Sequence, residues 1–314
     1  MRSADARPDA IFLLGPTASG KTALALALAA RFPLALISVD SALVYRGMDI
    51  GTAKPDPATL AAVPHALIDI REPEQGYSAA EFRSDALAAM RGAAASGLTP
   101  LLVGGTSLYF RALEWGLSPL PDADPAVRAQ LEAEAAAQGW APLHDRLAAL
   151  DPVAASRIHR NDPQRIQRAL EVIMLTGSPL STQQQGSAAR FPWRVLKLVA
   201  CVADRSELHR RIAARFCGML DAGLLAEVAR LRERPGLNAD SPAMRAVGYR
   251  QAWEHLAGLI DRQQLLERGI FATRQLAKRQ LTWLRGTRDA AWLAPDGTDA
   301  EGRVARFLRG LTPR

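Results

Sequence analysis

A glycine-rich octapeptide near the start of the chain constrains the fold more than any other feature. The pattern G-x-x-x-x-G-K-[ST] is matched by Gly15, Pro16, Thr17, Ala18, Ser19, Gly20, Lys21 and Thr22. It follows the apolar run 10–14 and precedes the helix-favouring run 23–30, which is the order of strand, loop and helix in which this pattern has physical meaning. We therefore predict a phosphate cradle rather than an ordinary strand-to-helix turn.

Each residue type in this loop suits a diphosphate. Gly15 and Gly20 allow backbone angles and a close approach that a Cβ would block, so amide groups and the helix N-terminus can converge on phosphate oxygens. Lys21 would neutralise phosphate charge, and the hydroxyl of Thr22 suits Mg²⁺. The motif leaves open whether the phosphate is transferred or discarded.

Apolar runs that alternate with helical patterns predict an α/β fold with a parallel sheet flanked by helices. Four such runs follow the first, at residues 36–39, 66–68, 101–103 and 195–202. Because ligands gather at the carboxyl edge of open parallel sheets, Asp40 and Thr106 are expected on the same rim as the phosphate loop. Ser78 and Glu81 have the spacing of a capping box and predict a helix over 78–95.

The Pro- and Asp-rich segment 118–125 interrupts this alternation and predicts a second unit. Helices are predicted over about 126–138 and from an Asp162 cap to near Gly177, followed by a loop at 181–189. We expect an α/β core at 1–117 and 194–314, with an all-helical insertion at 118–193. After residue 204 the pattern is helical to the end.

The charge balance favours a polyanionic partner. The chain has 39 Lys and Arg against 32 Asp and Glu, a formal net charge of +7. Between residues 268 and 288 there are six basic residues and no acidic one. A helix there would place Arg274, Lys278 and Arg285 on one side, which favours contact with a phosphate backbone over a merely solvated face.

Features of secreted or membrane proteins are absent from the sequence. Residues 1–8 have no apolar core behind their charges, and no run of about eighteen apolar residues occurs. Cys201 and Cys217 form no C-x-x-C motif and suggest neither a zinc site nor a disulfide framework. We expect a cytoplasmic protein that does not contact a membrane.

Three functions remain open on the residues alone: a group transferase acting on a diphosphate, a nucleoside or small-molecule kinase, and a nucleic-acid-binding NTPase. A GTPase is disfavoured because no Asn-Lys-x-Asp run is present. Asp40 ends an apolar run and is favoured as a general base, although Asp69 ends a second such run and either carboxylate could be a metal ligand.

Six blocks in the same order resemble the tRNA dimethylallyltransferase family, and the resemblance spans about residues 11–286. The blocks are GPTASGKT at 15–22, SVDS through YRGMDIGTAKP at 38–55, GGT at 104–106, NDPQRIQRALE at 161–171, RAVGYR at 245–250 and KRQLTWLR at 278–285. The similarity is to the bacterial type, because the eukaryotic Cys/His zinc finger does not follow. Leu43 and Leu276 depart from the residues common in the family.

The resemblance implies a P-loop NTPase-like fold and transfer of a prenyl group. Dimethylallyl diphosphate would donate its group to N6 of adenosine 37 in the anticodon stem-loop of tRNAs that read codons beginning with U, and pyrophosphate would leave. The diphosphate and Mg²⁺ would lie on residues 15–22, with Thr22 as the metal ligand, and a monomer is the expected form. The catalytic residues implied are Asp40 as base, Lys21 and Thr106.

The same resemblance implies a set of tRNA-contacting residues in four groups. The first group follows two of the predicted strands: Asp40, Ser41, Ala42, Leu43 and Thr106. The second lies in the insertion: Arg128, Gln164, Arg165, Ile166, Gln167 and Arg168. The others lie near the end of the chain: Arg245, Ala246, Val247, Gly248, Tyr249 and Arg250, and then Lys278, Arg279, Gln280, Leu281, Thr282, Trp283, Leu284 and Arg285.

Overall fold

A computed structural model describes residues 9–183, 191–294 and 299–309. The predictions for residues 1–8 and for the end of the 181–189 loop fall outside these ranges. The chain divides into two compact units, residues 1–114 with 191–314, and residues 115–190. None of the described helices is long and apolar enough to cross a membrane.

The first unit is built on a six-stranded parallel sheet in the order β3-β2-β4-β1-β5-β6. Its strands are β1 (Asp9–Leu14), β2 (Leu34–Val39), β3 (His65–Ala66), β4 (Thr99–Gly104), β5 (Arg194–Ala200) and β6 (Ala290–Leu293). The central strand β1 is buried along its whole length, as expected where helices cover both faces of a sheet.

Helices pack against this sheet and form two apolar clusters with its strands. The helices before the second unit are α1 (Lys21–Ala29), α2 (Pro57–Ala62), α3 (Ala79–Ala95) and α4 (Ser107–Trp115). The helices that follow β5 are α10 (Arg205–Asp221), α11 (Leu224–Arg232), α12 (Tyr249–Leu256), α13 (Arg262–Arg285) and α14 (Ala300–Leu308). A 3-10 helix spans Pro242–Arg245. The parallel sheet, the flanking helices and the loop between β1 and α1 confirm the predicted α/β fold of P-loop NTPase type.

The second unit is all helical around its own apolar core. It contains α5 (Pro125–Gln138), α6 (Trp140–Leu150), α7 (Pro152–Arg157), α8 (Pro163–Thr176) and α9 (Leu180–Gln183). Buried Leu131, Leu147, Ile166 and Leu170 pack together at its centre. Helix α8 begins at the Asp162 cap and ends at Gly177, which has a left-handed φ of 70°, so both predicted limits are confirmed.

A capping box defines the start of helix α3. The Ser78 hydroxyl accepts the Glu81 amide while the Glu81 carboxylate accepts the Ser78 amide, which satisfies two amide groups at the helix start. The predicted helix over 78–95 is thereby confirmed.

Three details of the predicted secondary structure are wrong. The strand predicted at 66–68 ends at Ala66, because Leu67 and Asp69 have left-handed φ values of 66° and 54°. Leu67 is buried in a turn, so the apolar run does not indicate a longer strand. The segment after 204 is not entirely helical, because β6 pairs with β5 at the sheet edge. Part of the predicted 181–189 loop belongs to α9.

Candidate active site

The phosphate loop joins β1 to α1 and is shaped by its glycines. A Cβ on Gly15 would lie 2.3 Å from the Ala200 carbonyl oxygen of β5, so only glycine fits against this neighbouring strand. Gly20 adopts a left-handed φ of 85° directly before α1. No side chain caps this helix, so its first amide groups remain available to an anion.

Two further features of the loop indicate a ligand site. The Ser19 hydroxyl is buried and has no hydrogen-bond partner among the described residues. Ala18 has a left-handed φ of 61°, which is strained for a residue with a Cβ. Such a conformation persists only where its surroundings hold it, and Ala18 packs against the cluster of Val202, Leu208, Ile212 and Ala277.

Lys21 is the loop cation, and its environment makes it titratable near neutral pH. Its Nζ donates to the Pro16 carbonyl oxygen at 2.6 Å. The pKa of Lys21 is lowered to about 8, mainly by burial; the nearby carboxylate of Asp40 opposes this shift, and the charge of Arg215 contributes to it. An anion bound in the loop would favour the protonated ammonium by the same Coulombic reasoning.

Arg215 is a second cation at this site that the sequence analysis did not identify. It lies on α10, its Nη2 donates to the Thr52 carbonyl oxygen at 3.1 Å, and burial lowers its pKa while Asp40 raises it. Four arginines occur on α10, and no sequence pattern distinguishes Arg215 from the others. Only the packing of the helix brings this one to the phosphate loop.

A cavity of about 970 Å³ opens beside the loop within the first unit. Lys21, Thr22 and Arg215 line it together with Ile50, Leu60 and Met219, so cationic groups and apolar side chains face the same space. This combination suits a ligand with a charged diphosphate at one end and a small hydrocarbon at the other.

Lys54 organises the carboxylates at the cavity wall. Its Nζ, on a side chain only 4% exposed, binds Asp49 Oδ1 at 2.6 Å and Asp69 Oδ1 at 2.5 Å. Asp69 is therefore already paired with a cation, which makes it the weaker of the two candidates for a general base or a metal ligand.

Asp40 and Thr106 follow adjacent strands, β2 and β4, at the same edge of the sheet. Asp40 Oδ1 accepts the amides of Ala42 at 2.8 Å and Leu43 at 3.3 Å, and Oδ2 receives no hydrogen bond from the described residues. The Thr106 hydroxyl accepts the Ser41 amide at 3.1 Å. The loop after β2 is thus held from both strands, with one carboxylate oxygen left for a further partner.

Helix α13 presents cations and also contacts the phosphate loop. Ala277 and Leu284 are buried and Leu281 and Trp283 half-buried, whereas Thr282 and the cations Lys278, Arg279 and Arg285 are exposed. None of these three cations forms a salt bridge within the described ranges, so their charges remain available to a polyanion. Gln280 differs from its neighbours, because its amide is hydrogen-bonded to Thr17 and Gly105.

The segment 245–250 is divided between surface and core. Arg245 and Arg250 are exposed, Ala246 and Val247 are half-buried, and Gly248 and Tyr249 are buried. The Tyr249 hydroxyl donates to Glu227 Oε1 at 2.5 Å, and the Glu227 carboxylate accepts the amides of residues 49–51. Tyr249 thus supports the loop at the cavity wall from inside the protein.

In the second unit, the basic residues of α8 have different environments. Gln164 and Arg165 are exposed, Ile166 is buried, and Gln167 is half-buried beside the Arg128 carbonyl oxygen. Arg168 and Arg128 both bind the fully buried carboxylate of Glu171, at 2.6 and 2.7 Å. Burial would raise the pKa of Glu171, but the hydrogen bonds from the two arginines and from the Asp124 amide, together with the charge of Arg128, lower it below its usual value.

A spacing of three residues on a helix predicts that Arg165 and Arg168 project together, but in the structure the two side chains have different partners. Arg165 has a side chain 71% exposed and pairs with its own cap, Asp162. Arg168 also donates to the Pro121 carbonyl oxygen, so it holds the start of the unit as well as Glu171.

The residues present fit Mg²⁺ as a partner of a bound diphosphate. The described residues contain no cluster of three or more His, Cys, Asp or Glu side chains that could hold a metal by themselves. Thr22, however, is exposed and lines the cavity. Mg²⁺ is commonly bound by one or two protein oxygens together with substrate phosphates, so Thr22 is the residue that would hold it here.

Diphosphate binding should weaken as pH rises through 8. The free protein's Lys21 has a pKa of about 8, so the ammonium is present below that pH and is lost above it. We expect the dissociation constant of inorganic pyrophosphate to rise about tenfold between pH 7 and pH 9, measured by calorimetry. The Lys21→Arg variant, whose guanidinium stays charged, should show a flat profile over this range, and a flat wild-type profile would contradict the expectation.

The chain is similar to known proteins over nearly its whole length. The family model described as IPP transferase matches residues 43–287. The chain is 61% identical over 306 residues to a tRNA dimethylallyltransferase from Alkalilimnicola ehrlichii, covering 96% of each chain. It is also 61% identical over 305 residues to one from Thioalkalivibrio sulfidiphilus, covering 97% of this chain and 95% of the relative.

Solved structures give the same result. The crystal structure of the full-length tRNA isopentenylpyrophosphate transferase from Bacillus halodurans has a TM-score of 0.70 and 34% identity, covering 97% of this chain and 96% of that one. A eukaryotic dimethylallyltransferase acting on tRNA, with a TM-score of 0.78 and 23% identity, shares the fold over 98% of this chain and 81% of its own. With a phosphate loop, an adjacent carboxylate and relatives this similar over nearly its whole length, the chain belongs to the IPP transferase family of tRNA dimethylallyltransferases.

Proposed function

We propose that this protein transfers the dimethylallyl group of dimethylallyl diphosphate to N6 of adenosine 37 in tRNAs that read codons beginning with U. The observation that carries the proposal is the convergence of Lys21 and Arg215 with Asp40 at one sheet edge, beside a cavity with apolar walls. The products are N6-isopentenyladenosine in tRNA and pyrophosphate.

The cradle serves the leaving group. As the bond between the allylic carbon and the diphosphate oxygen breaks, negative charge accumulates on the diphosphate. The open amides of α1, Lys21 and Arg215 stabilise that charge without having to reorganise during the reaction. Mg²⁺ held by Thr22, when bound, would add neutralising charge on the same oxygens.

Asp40 serves the nucleophile. The exocyclic amine of adenine forms the new bond to the allylic carbon, and one of its protons must leave. The Asp40 carboxylate lies at the end of β2 with Oδ2 unbound by described residues, so it can accept that proton. Thr106 positions the neighbouring Ser41 amide through its hydroxyl.

The exposed cations serve the tRNA. Reaching N6 requires adenosine 37 to leave its stack, at a cost of a few kcal/mol that protein contacts must offset. We assign the anticodon stem-loop to Lys278, Arg279 and Arg285 on α13, with Arg245 and Arg250. The exposed Arg165 and Gln164 make the second unit a further contact for the same stem-loop.

A kinase would use the same cradle but would leave the unpaired cations of α13 without a role. Family membership also favours the transferase. The deciding experiment incubates the protein with tRNA, Mg²⁺ and either dimethylallyl diphosphate or ATP, and then analyses digested nucleosides by mass spectrometry. We expect N6-isopentenyladenosine with dimethylallyl diphosphate only. Phosphoryl transfer from ATP, with adenosine unmodified, would reject the proposal.

Removing two cations of α13 should weaken tRNA binding and reduce its salt dependence. In the Lys278→Ala/Arg285→Ala variant, we expect the slope of log K against log salt to fall by about one unit for each lost phosphate contact. Filter binding between 50 and 300 mM salt, roughly the range in which such slopes are resolved, measures this. Arg91→Ala/Arg309→Ala, which removes two other exposed cations, is the charge-matched control. An unchanged slope would show that α13 is only a solvated face.

A further inference from the structure

Gln280 is the one uncharged polar side chain of α13 that joins this helix to two loops of the sheet edge within the described residues. Its Oε1 accepts the Thr17 amide at 2.8 Å, and its Nε2 donates to the Gly105 carbonyl oxygen at 3.0 Å. Thr17 follows β1 and Gly105 follows β4, and these two strands are paired in the sheet. One amide group therefore connects α13, the phosphate loop and the loop that carries Thr106.

The space around this amide is closely filled. A Cβ on Gly105 would lie 2.4 Å from Gln280 Nε2 and 3.2 Å from the Gly15 carbonyl oxygen. The glycine at 105 is thus needed for the side chain to reach both strand ends. Ala277, one turn earlier on the same face of α13, packs in the cluster that contacts Ala18 of the phosphate loop.

These two contacts bear on the strained part of the loop. Thr17 precedes Ala18, whose left-handed φ of 61° requires support from its surroundings. The hydrogen bond from the Thr17 amide to Gln280 fixes the residue that precedes Ala18. The cluster that contains Ala277 packs against Ala18 itself. Both supports come from α13, the helix that also carries the exposed cations.

We propose that Gln280 is a positioning residue of the diphosphate site, which holds the phosphate loop in its binding conformation. This inference rests on the proposed function and adds a supporting residue to its donor site. By binding the Thr17 amide and the Gly105 carbonyl oxygen, Gln280 preorganises the amides from Ala18 to Thr22 for the donor. Gln280 therefore affects binding of the donor and does not contact tRNA, unlike its solvent-facing neighbours Lys278, Arg279 and Arg285.

The Gln280→Met variant tests this inference, because methionine keeps the length of the side chain and removes both hydrogen bonds. We expect the dissociation constant of dimethylallyl diphosphate with Mg²⁺, measured by calorimetry, to rise about tenfold. The dissociation constant of an anticodon stem-loop RNA should change less than about twofold, and donor KM should rise with kcat kept within about threefold. Gln275→Met, the same change on the same helix at a glutamine without these bonds, is the matched control.

Two results would overturn the assignment. One is a donor affinity equal to that of Gln275→Met, and the other is a loss of stem-loop affinity larger than the loss of donor affinity. Measuring pyrophosphate binding as well separates the two proposals. A wild-type protein that binds pyrophosphate but forms no isopentenyladenosine rejects the proposed function, while the comparison of Gln280→Met with Gln275→Met still tests the positioning role.

Gly105→Ala provides an independent variant, because its methyl group would occupy the place of Gln280 Nε2 and displace a flexible side chain. We expect a similar loss of donor affinity. In the double variant with Gln280→Met, the combined loss should be smaller than the product of the single losses, because both changes break the same contact. Fully multiplicative losses would show that the two residues act separately and would contradict the proposal.

Discussion

Replacing Lys21 by alanine should reduce prenyl transfer by at least about 10³-fold while leaving tRNA affinity nearly unchanged. The ammonium lies in the phosphate loop and lines the cavity, so it acts on the diphosphate and not on the polynucleotide. Single-turnover product formation and binding of the anticodon stem-loop, measured on the same preparation, separate these two effects.

Lys21→Arg is the matched control for this change. It keeps the charge but not the compact ammonium that donates to Pro16 in the loop, so we expect activity between those of wild type and the alanine variant. A loss of stem-loop binding in Lys21→Ala comparable to the loss of catalysis would contradict the division between a donor site at the loop and a tRNA site at the exposed cations.

Replacing Asp40 by asparagine should slow the chemical step by roughly 10² to 10⁴-fold, with both dissociation constants little changed. Asparagine keeps an oxygen that can accept the Ala42 and Leu43 amides, so the loop should keep its conformation. What it loses is the ability to accept the proton of the amine. Rapid-quench single-turnover kinetics at saturating donor and tRNA measure this step.

Excess Mg²⁺ distinguishes a base from a metal ligand. If Asp40 bound the metal, the asparagine variant would bind the donor more weakly and raised Mg²⁺ would restore much of the rate. Such a rescue would overturn the assignment as base. A rate within about threefold of wild type would remove Asp40 from catalysis, because that change corresponds to only about 0.65 kcal/mol of activation free energy. Asp69→Asn is the companion variant, since Asp69 is paired with Lys54.

Local patterns in the sequence determined much of this protein. The phosphate loop, the capping box at Ser78 and the limits of α8 follow from interactions within a few residues, which is why they could be predicted. The buried strands β1, β2 and β4 could also be predicted from the sequence, because strands covered on both faces are continuously apolar. The family resemblance depends on the same short blocks of residues.

The tertiary structure alone decided the features that depend on distant partners. Strand β6 forms because Ala290–Leu293 can pair with β5, and a four-residue strand has no stability without such a partner. Arg215 reaches the site because α10 packs over the cavity, and Gln280 binds a loop 263 positions away. Segments 245–250 and 278–285 each contain exposed, half-buried and buried residues. The sequence identified the segments, whereas tertiary packing determined which of their side chains are exposed. The physical reason is that hydrogen bonds and burial between residues far apart in the chain leave no periodic pattern in the sequence itself.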